Sequence, residues 1–151
     1  MLILASQSCF GDDARPQTLP LLKQDSGAYY VRAVFGREIA SDLLVDTGSS
    51  YVALSRKTYE QLDDQELVVY LRTIFGTTAT GRRVKVKVYA VSGMSLGNDC
   101  LLGPVEAVVL PGADRDILGL SALKHLQPFS MSFDPPTLSF SSCSAVTSAA
   151  D

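Results

Sequence analysis

The chain has 151 residues and a mass of 16.2 kDa, which is enough for one domain with one hydrophobic core. Hydrophobic residues make up 46% and charged residues 19% of the sequence, a composition that excludes an intrinsically disordered chain. The net charge of −3 argues against a nucleic-acid partner held through phosphate contacts. No apolar run approaches the roughly 20 residues that cross a bilayer, so we expect no membrane span within this chain.

The inventory of reactive side chains is small. His125 is the single histidine, and Cys9, Cys100 and Cys143 lie far apart without a C-x-x-C motif. A zinc cage of histidines and cysteines therefore cannot form within one chain, and no glycine-rich phosphate loop opens a helix. We expect no metal and no cofactor, and we interpret His125 as a structural residue. Cys100 and Cys143 could pair in an oxidising compartment, but their spacing does not show it.

Three segments are expected along the chain. Residues 1–26 are interpreted as an N-terminal lead-in or linker, residues 27–141 as the folded domain, and the Ser/Ala-rich residues 142–151 as a flexible tail. The apolar start is either the stump of a trimmed targeting segment or simply an irregular N-terminus. The compartment stays open, with a periplasmic or membrane-tethered extracytoplasmic location preferred over a cytoplasmic one.

Short strands dominate the predicted elements. Apolar and β-branched runs predict strands over 29–35, 39–46, 51–54, 67–75 and 82–91, two more within 94–112, and a final hairpin over 129–140. Short helices are predicted over 56–62 and 122–126, with Ser55 and Ser121 as their N-caps. Many short strands with closely spaced turns indicate a mostly-β domain, barrel-like or sandwich-like.

The hairpin over 67–91 has a glycine-flanked tip, with Gly76 and Gly81 on either side. Its second strand alternates valines with basic residues, a period of two that is typical of a strand with one face in water. The basic residues of this strand are Arg82, Arg83, Lys85 and Lys87. We interpret them as a solvated face, and the alternative is a preference for acidic substrates.

The most informative motif is Asp46-Thr47-Gly48-Ser49, which follows a strand of consecutive apolar residues and precedes another apolar strand. The tripeptide D-T-G alone arises by chance in roughly a few per cent of chains this long, so its context matters more. About seventy residues later comes Ile117-Leu118-Gly119, two apolar residues and a glycine that lead into a helix.

These two motifs, with the glycine-flanked hairpin between them, resemble the retropepsin-like aspartic proteases over roughly residues 29–140. Ser49 and Leu120 stand where the viral pattern usually has alanine and arginine, so the resemblance is closer to the bacterial and cellular branch. An ion pair that helps brace the viral dimer is therefore in doubt here. The resemblance implies a mostly-β, single-lobe, closed β-barrel with one or two short helices, completed as a homodimer.

The resemblance also implies an enzyme, an aspartic endopeptidase and acid protease that acts on a peptide or protein substrate. Hydrolysis by carboxylates needs two of them, one to take a proton from water and one to donate to the carbonyl oxygen. Like charges about 3 Å apart do not both ionise easily, so such a pair holds one proton, the known behaviour of aspartic-protease dyads. The chain has a single D-T-G, so Asp46 would have to meet its counterpart across a symmetric homodimer.

By the same resemblance, the neighbours of Asp46 support the catalytic loop. Gly48 would bring its N–H to the carboxylate, and Thr47 would hydrogen-bond across the two-fold axis. Ser49 would donate to the outer carboxylate oxygen, which favours the charged form and a more acidic optimum than alanine would give. The expected substrate-binding flap comprises Ile74, Phe75, Gly76, Thr77, Thr78, Ala79, Thr80 and Gly81. The expected structural residues near the site are Ile117, Leu118 and Gly119.

Two alternatives accompany this hypothesis. Asp46 and Gly48 are ordinary turn residues, so the motif could be a structural turn. The second candidate function is a catalytically inactive peptide-binding or dimerisation module on the same fold, because fold does not imply function.

Overall fold

The computed structural model describes residues 16–143. The expected apolar start and most of the expected tail lie outside the described residues. The strands are β1 (Gln17–Pro20), β2 (Leu22–Lys23), β3 (Tyr29–Phe35), β4 (Ile39–Val45), β5 (Val52–Leu54), β6 (Val68–Thr77), β7 (Arg83–Val91), β8 (Met94–Leu96), β9 (Cys100–Leu101), β10 (Val105–Val109), β11 (Asp116–Leu118), β12 (Phe129–Phe133) and β13 (Pro136–Phe140). The helices are α1 (Arg56–Asp64) and α2 (Leu120–Leu123).

The strands form two sheets. Nine follow the order β6-β7-β10-β5-β11-β4-β3-β8-β9, and β2 joins the same ten-stranded sheet beside β3. Strands β1, β13 and β12 form a three-stranded antiparallel sheet. The mostly-β class is confirmed. The expected closed barrel is wrong for the described residues, because closure needs the two end strands to pair, and β6 and β9 end the strand order without pairing with each other.

The ordered domain begins earlier than the expected boundary at residue 27. Strand β1 pairs antiparallel with β13, with Gln17 opposite Phe140 and Pro20 opposite Thr137. Leu21, which follows, is 4% exposed. The prolines suggested a linker, but β1 is an edge strand, where a proline without an N–H is tolerated.

The N-cap of α1 is confirmed, and that of α2 is wrong. The Ser55 hydroxyl accepts from the Thr58 N–H at 3.3 Å. Helix α2 begins earlier than predicted, with Gly119 as its N-cap residue. The Ser121 hydroxyl instead donates to the Glu106 carbonyl at 2.6 Å and accepts from the Val52 N–H at 2.8 Å. Ser121 therefore links α2 to β10 and β5 and caps nothing.

The core lies between the large sheet, α1, α2 and the three-stranded sheet. Its largest fully buried side chains include Phe35, Leu43, Leu54, Leu62, Met94, Leu118, Leu123 and Leu138. Burial of such side chains supplies roughly 1.5–3 kcal/mol each. A disulfide joins Cys100 to Cys143, which ties β9 to the segment after β13. Within residues 16–143, neither helix is long or apolar enough to span a membrane.

Candidate active site

Asp46 is placed by three neighbouring strands. Strand β11 pairs in parallel with β4, with Leu118 opposite Val45, and antiparallel with β5 at Ile117 and Ala53. Asp46 follows β4, so it emerges beside the end of β11, and its N–H donates to the Leu118 carbonyl at 3.1 Å. This pairing of β11 between β4 and β5 fixes the direction in which the chain leaves the sheet.

The catalytic loop of the sequence hypothesis, residues 46–49, turns tightly after β4 and is held by the start of α2. The Ser49 N–H donates to the Asp46 carbonyl at 3.2 Å. From the other side, the Leu120 N–H donates to the Ser49 carbonyl at 2.8 Å, and the Ser121 N–H donates to the Ser50 carbonyl at 3.0 Å. The expected motif 117–119 therefore lies directly against the loop.

Gly119 is the point of closest approach. A Cβ atom at this position would lie 2.1 Å from the Tyr51 carbonyl oxygen and 2.7 Å from that of Ser49. Backbone atoms at these distances leave no room for any side chain. The glycine of the motif is thus required by the close crossing of α2 under residues 49–51.

The Asp46 carboxylate has one internal hydrogen-bond donor. The Gly48 N–H donates to Oδ1 at 2.8 Å, the contact that the sequence hypothesis expects. A Cβ at Gly48 would lie 3.1 Å from the same oxygen, so a larger residue would crowd it. Among residues 16–143, no group donates to Oδ2 of Asp46. This oxygen is the one left for a water molecule or a second acid.

Asp46 lies on a cleft of about 790 Å³ that the β6–β7 hairpin covers from one side. The predicted site residues that line it are Asp46, Gly48, Ser49, Ile117 and the hairpin segment 74–80. Thr47, Gly81, Leu118 and Gly119 do not line it. Thr47 is exposed beside the cleft, whereas Leu118 and Gly119 support the loop from below.

Other lining residues are not among the site residues that the sequence predicts. They are Ser50, Tyr51, Ala53, Arg82, Val84, Val86, Val108, Leu110, Pro111, Gly112 and Ala113. The alternation of β7 was a usable signal for Val84 and Val86, and the structure confirms it because Val86 and Val88 are buried while the intervening basic residues are exposed. Residues 110–113 carried no such signal, because only the pairing of β10 with β5 and β7 brings them to the cleft.

The expected role of Ser49 is not what the structure shows. Its hydroxyl donates to the Tyr51 carbonyl oxygen at 2.8 Å. A hydroxyl has one proton to donate, so Ser49 closes the turn and does not donate to Asp46. The sequence could not separate these two acceptors, because Asp46 and Tyr51 are both within three residues of Ser49 in the chain.

Arg72, on β6, connects the hairpin to the neighbouring strands. Its guanidinium donates to both carboxylate oxygens of Glu106 at 2.8 Å and to the Tyr51 hydroxyl at 3.3 Å. The hydrogen bond from Arg72 lowers the pKa of Glu106 below its ordinary value of 4.5. These contacts tie the hairpin to β10 and to one wall of the cleft.

Asp116 is a buried carboxylate that the sequence analysis did not single out. It is 4% exposed and accepts hydrogen bonds from the Ser41 hydroxyl, the Ser55 N–H and the Thr58 hydroxyl, the last two at 2.6 Å. A buried carboxylate with three donors is well satisfied. Asp116 thereby joins β4, the start of α1 and β11, the strand that positions Asp46.

The lining of the cleft contains one acidic residue, Asp46, and one basic residue, Arg82. His125 is buried and does not line the cleft, in keeping with its interpretation as a structural residue. In the part of the chain that the structure describes, no three histidine, cysteine or acidic side chains gather as a metal-binding group.

Comparison with known proteins finds a family model and solved structures that are similar to this chain. The family model of the gag-polyprotein putative aspartyl protease matches residues 34–125. No curated protein matches the chain. A solved structure, that of a retropepsin-like aspartic protease from Rickettsia conorii, is similar with a TM-score of 0.60 and 21% sequence identity, over 83% of this chain and 92% of that one. At that identity the solved structure shows the fold, and the family model covers more than half of the sequence. The chain therefore belongs to the retropepsin-like aspartic protease family.

Proposed function

We propose that this chain is an aspartic endopeptidase whose two catalytic carboxylates are Asp46 of one protomer and Asp46 of a second copy. One observation carries the proposal: Asp46 lies on the cleft under the hairpin with one oxygen held by Gly48 and the other without a donor among the described residues. The lining of the cleft has no second acid, so a single chain offers half of a two-carboxylate site.

The chemistry follows from the two carboxylates. The ionised one accepts a proton from a water molecule as the water oxygen bonds to the scissile carbonyl carbon, and the protonated one donates to the carbonyl oxygen. Proton transfer to the amide nitrogen then allows the C–N bond to break. The Gly48 N–H holds the carboxylate in one orientation throughout, which keeps the reacting groups aligned.

The surface around the loop supports a two-fold arrangement. Thr47 and Gly48 are exposed, and Leu120, at the start of α2, is 43% exposed although it is apolar. A second copy placed here would cover Leu120 and bring the two loops together, with Thr47 hydrogen-bonding across the axis. Symmetric contacts of this kind are the commonest form of homodimer.

The β6–β7 hairpin is proposed as the flap. Seven consecutive residues, 74–80, line the cleft, and the tip turns at Gly81 with a φ of +81°. An extended substrate between the hairpin and Asp46 would present its backbone for strand-like pairing. Closure over the substrate would exclude water from the reacting carbonyl.

Cleavage of a peptide library tests the proposal. The wild type and Asp46→Asn are compared from acidic to neutral pH at two protein concentrations, with Asp64→Asn as the matched control because Asp64 is exposed on α1 away from the cleft. We expect cleavage by the wild type and Asp64→Asn, none by Asp46→Asn, and a more than linear rise with concentration. A folded wild type without cleavage at any pH would favour the inactive peptide-binding module instead.

A further inference from the structure

The β6–β7 hairpin has an unusual distribution of charge. Residues 68–91 contain five of the chain's 13 basic residues and none of its 16 acidic ones. Arg72 is paired with Glu106. The other four are exposed: Arg82, Arg83, Lys85 and Lys87. Among residues 16–143, no carboxylate lies within ion-pair distance of any of them. On a chain of net charge −3, this hairpin is a local region of uncompensated positive charge.

Three of these cations lie on the face of the hairpin that points away from the cleft. Val84 and Val86 line the cleft, and side chains alternate between the two faces of a strand, so Arg83, Lys85 and Lys87 face outward. Arg83 and Lys85 lie over the Phe75 ring, at 5.0 Å and 5.7 Å from its centroid. Their contribution inside the cleft is a positive potential, which falls off over a Debye length of about 10 Å at 0.1 M salt.

Arg82 differs because it lines the cleft itself. Its backbone is fixed at the hairpin tip: the Thr78 N–H donates to the Arg82 carbonyl at 2.9 Å, and the Arg82 N–H donates to the Thr78 hydroxyl at 3.2 Å. The start of the side chain is therefore held in place, while its guanidinium has no carboxylate partner in the described residues. A guanidinium binds a carboxylate through two parallel hydrogen bonds, which are stronger than neutral ones.

We propose that the peptidase selects substrates that carry a glutamate or aspartate near the scissile bond, and that Arg82 is the residue that binds this side chain. The inference rests on the proposed function and adds its substrate class. The outward-facing cations strengthen the attraction of acidic segments, and Arg82 provides the direct contact. The rest of the cleft lining is apolar or uncharged apart from Asp46, so it offers an acidic side chain no other cation.

The test uses pairs of peptides that share one cleavable core and differ by glutamate or glutamine at a single position, scanned along the core near pH 6. For each pair, the ratio of kcat/KM for glutamate over glutamine is measured for the wild type, Arg82→Gln and Arg83→Gln. We expect one position at which the wild type prefers glutamate by about tenfold, as an ionic hydrogen bond gives. Arg82→Gln removes the preference, whereas Arg83→Gln changes the ratio less than twofold.

The outcomes separate this inference from the proposed function. Asp46-dependent cleavage without any glutamate preference, or a preference that survives Arg82→Gln, overturns the inference and leaves the peptidase intact. Absence of all cleavage overturns the proposed function. In that case, binding of the same peptides to Asp46→Asn is measured by calorimetry. A glutamate preference that Arg82→Gln abolishes there supports the assignment of Arg82, and equal binding of both peptides refutes it.

Discussion

Gly119 is the residue at which the structure leaves no room for a side chain. The Cβ of alanine would lie 2.1 Å from the Tyr51 carbonyl oxygen, and ordinary contacts begin at 3.4 Å. The two segments must therefore separate by more than 1 Å. The same segments are joined by the hydrogen bonds from Leu120 to Ser49 and from Ser121 to Ser50, so the substitution Gly119→Ala strains or breaks both.

The expected magnitude follows from these contacts. Overpacking alone costs about 1–3 kcal/mol, and each weakened hydrogen bond adds about 1 kcal/mol. Since two hydrogen bonds are affected, we expect Gly119→Ala to lower the free energy of unfolding by about 3–5 kcal/mol. Because Asp46 is hydrogen-bonded to Leu118 and to Ser49, which adjoin the displaced segments, we expect a shift near 1 Å also to lower the cleavage rate by roughly 100-fold. Gly27→Ala is the control, since its Cβ meets nothing within 4 Å and only its φ of +82° is unfavourable, a cost of about 1 kcal/mol.

Urea unfolding followed by far-UV circular dichroism measures the stability, because the chain has no tryptophan for fluorescence. Cleavage of one peptide below the unfolding midpoint measures the activity. Gly27→Ala should keep the wild-type cleavage rate. A Gly119→Ala protein as stable and active as Gly27→Ala would show that the close crossing of α2 under residues 49–51 does not hold the loop of residues 46–49 in place.

Three further predictions concern side chains around the site. Asp116→Asn should destabilise the protein by about 2–3 kcal/mol in urea unfolding, because an amide cannot accept from all three donors; a change below 0.5 kcal/mol would contradict this. Ser49→Ala should lose about 1 kcal/mol of stability, the worth of its bond to the Tyr51 carbonyl, and leave the pH profile of cleavage unchanged; a displaced profile would restore the role expected from the sequence. The lowered pKa of Glu106 means that its bond to Arg72 stabilises the fold above pH 4.5 and stops doing so as pH falls through the lower folded-state value. Glu106→Gln should therefore cost about 0.5 kcal/mol at pH 7 and progressively less as the pH falls through the lowered folded-state pKa of Glu106, and a cost that does not decline with falling pH would contradict the linkage.

Much of the architecture could be predicted because most strands can be recognised from the residues of their own segment. The runs at 29–35 and 83–91 and the helix after Ser55 lie where alternation and capping placed them. Whether the sheet closes into a barrel could not be predicted from the sequence, since closure depends on pairing between strands that are distant in the chain. The lead-in was misjudged because its prolines suggest a linker, whereas β1 is an edge strand whose pairing with β13 is a contact between opposite ends of the chain.

The candidate site divides in a similar way. The motif at 46–49 was visible because turn chemistry and catalytic chemistry both need those residue types in sequence. The hydrogen-bond partners of hydroxyl groups could not be predicted from the sequence. Ser49 donates to the Tyr51 carbonyl and Ser121 to the Glu106 carbonyl, and only the folded structure selects these acceptors. Asp116 was missed because it follows the charged residues Asp114 and Arg115, and the sequence gives no sign that this aspartate is buried with three donors.

The shared dyad is tested most directly by mixing wild-type chains with Asp46→Asn chains. The amount of wild type is fixed, the variant is added in increasing excess, and the mixture is left to exchange before the cleavage rate is measured. If each site needs Asp46 from two chains, an equal mixture places about half of the wild-type chains with an inactive partner. The rate should then fall about twofold, and about tenfold at a ninefold excess. A rate that stays constant while mixed dimers form would contradict a site shared between two copies.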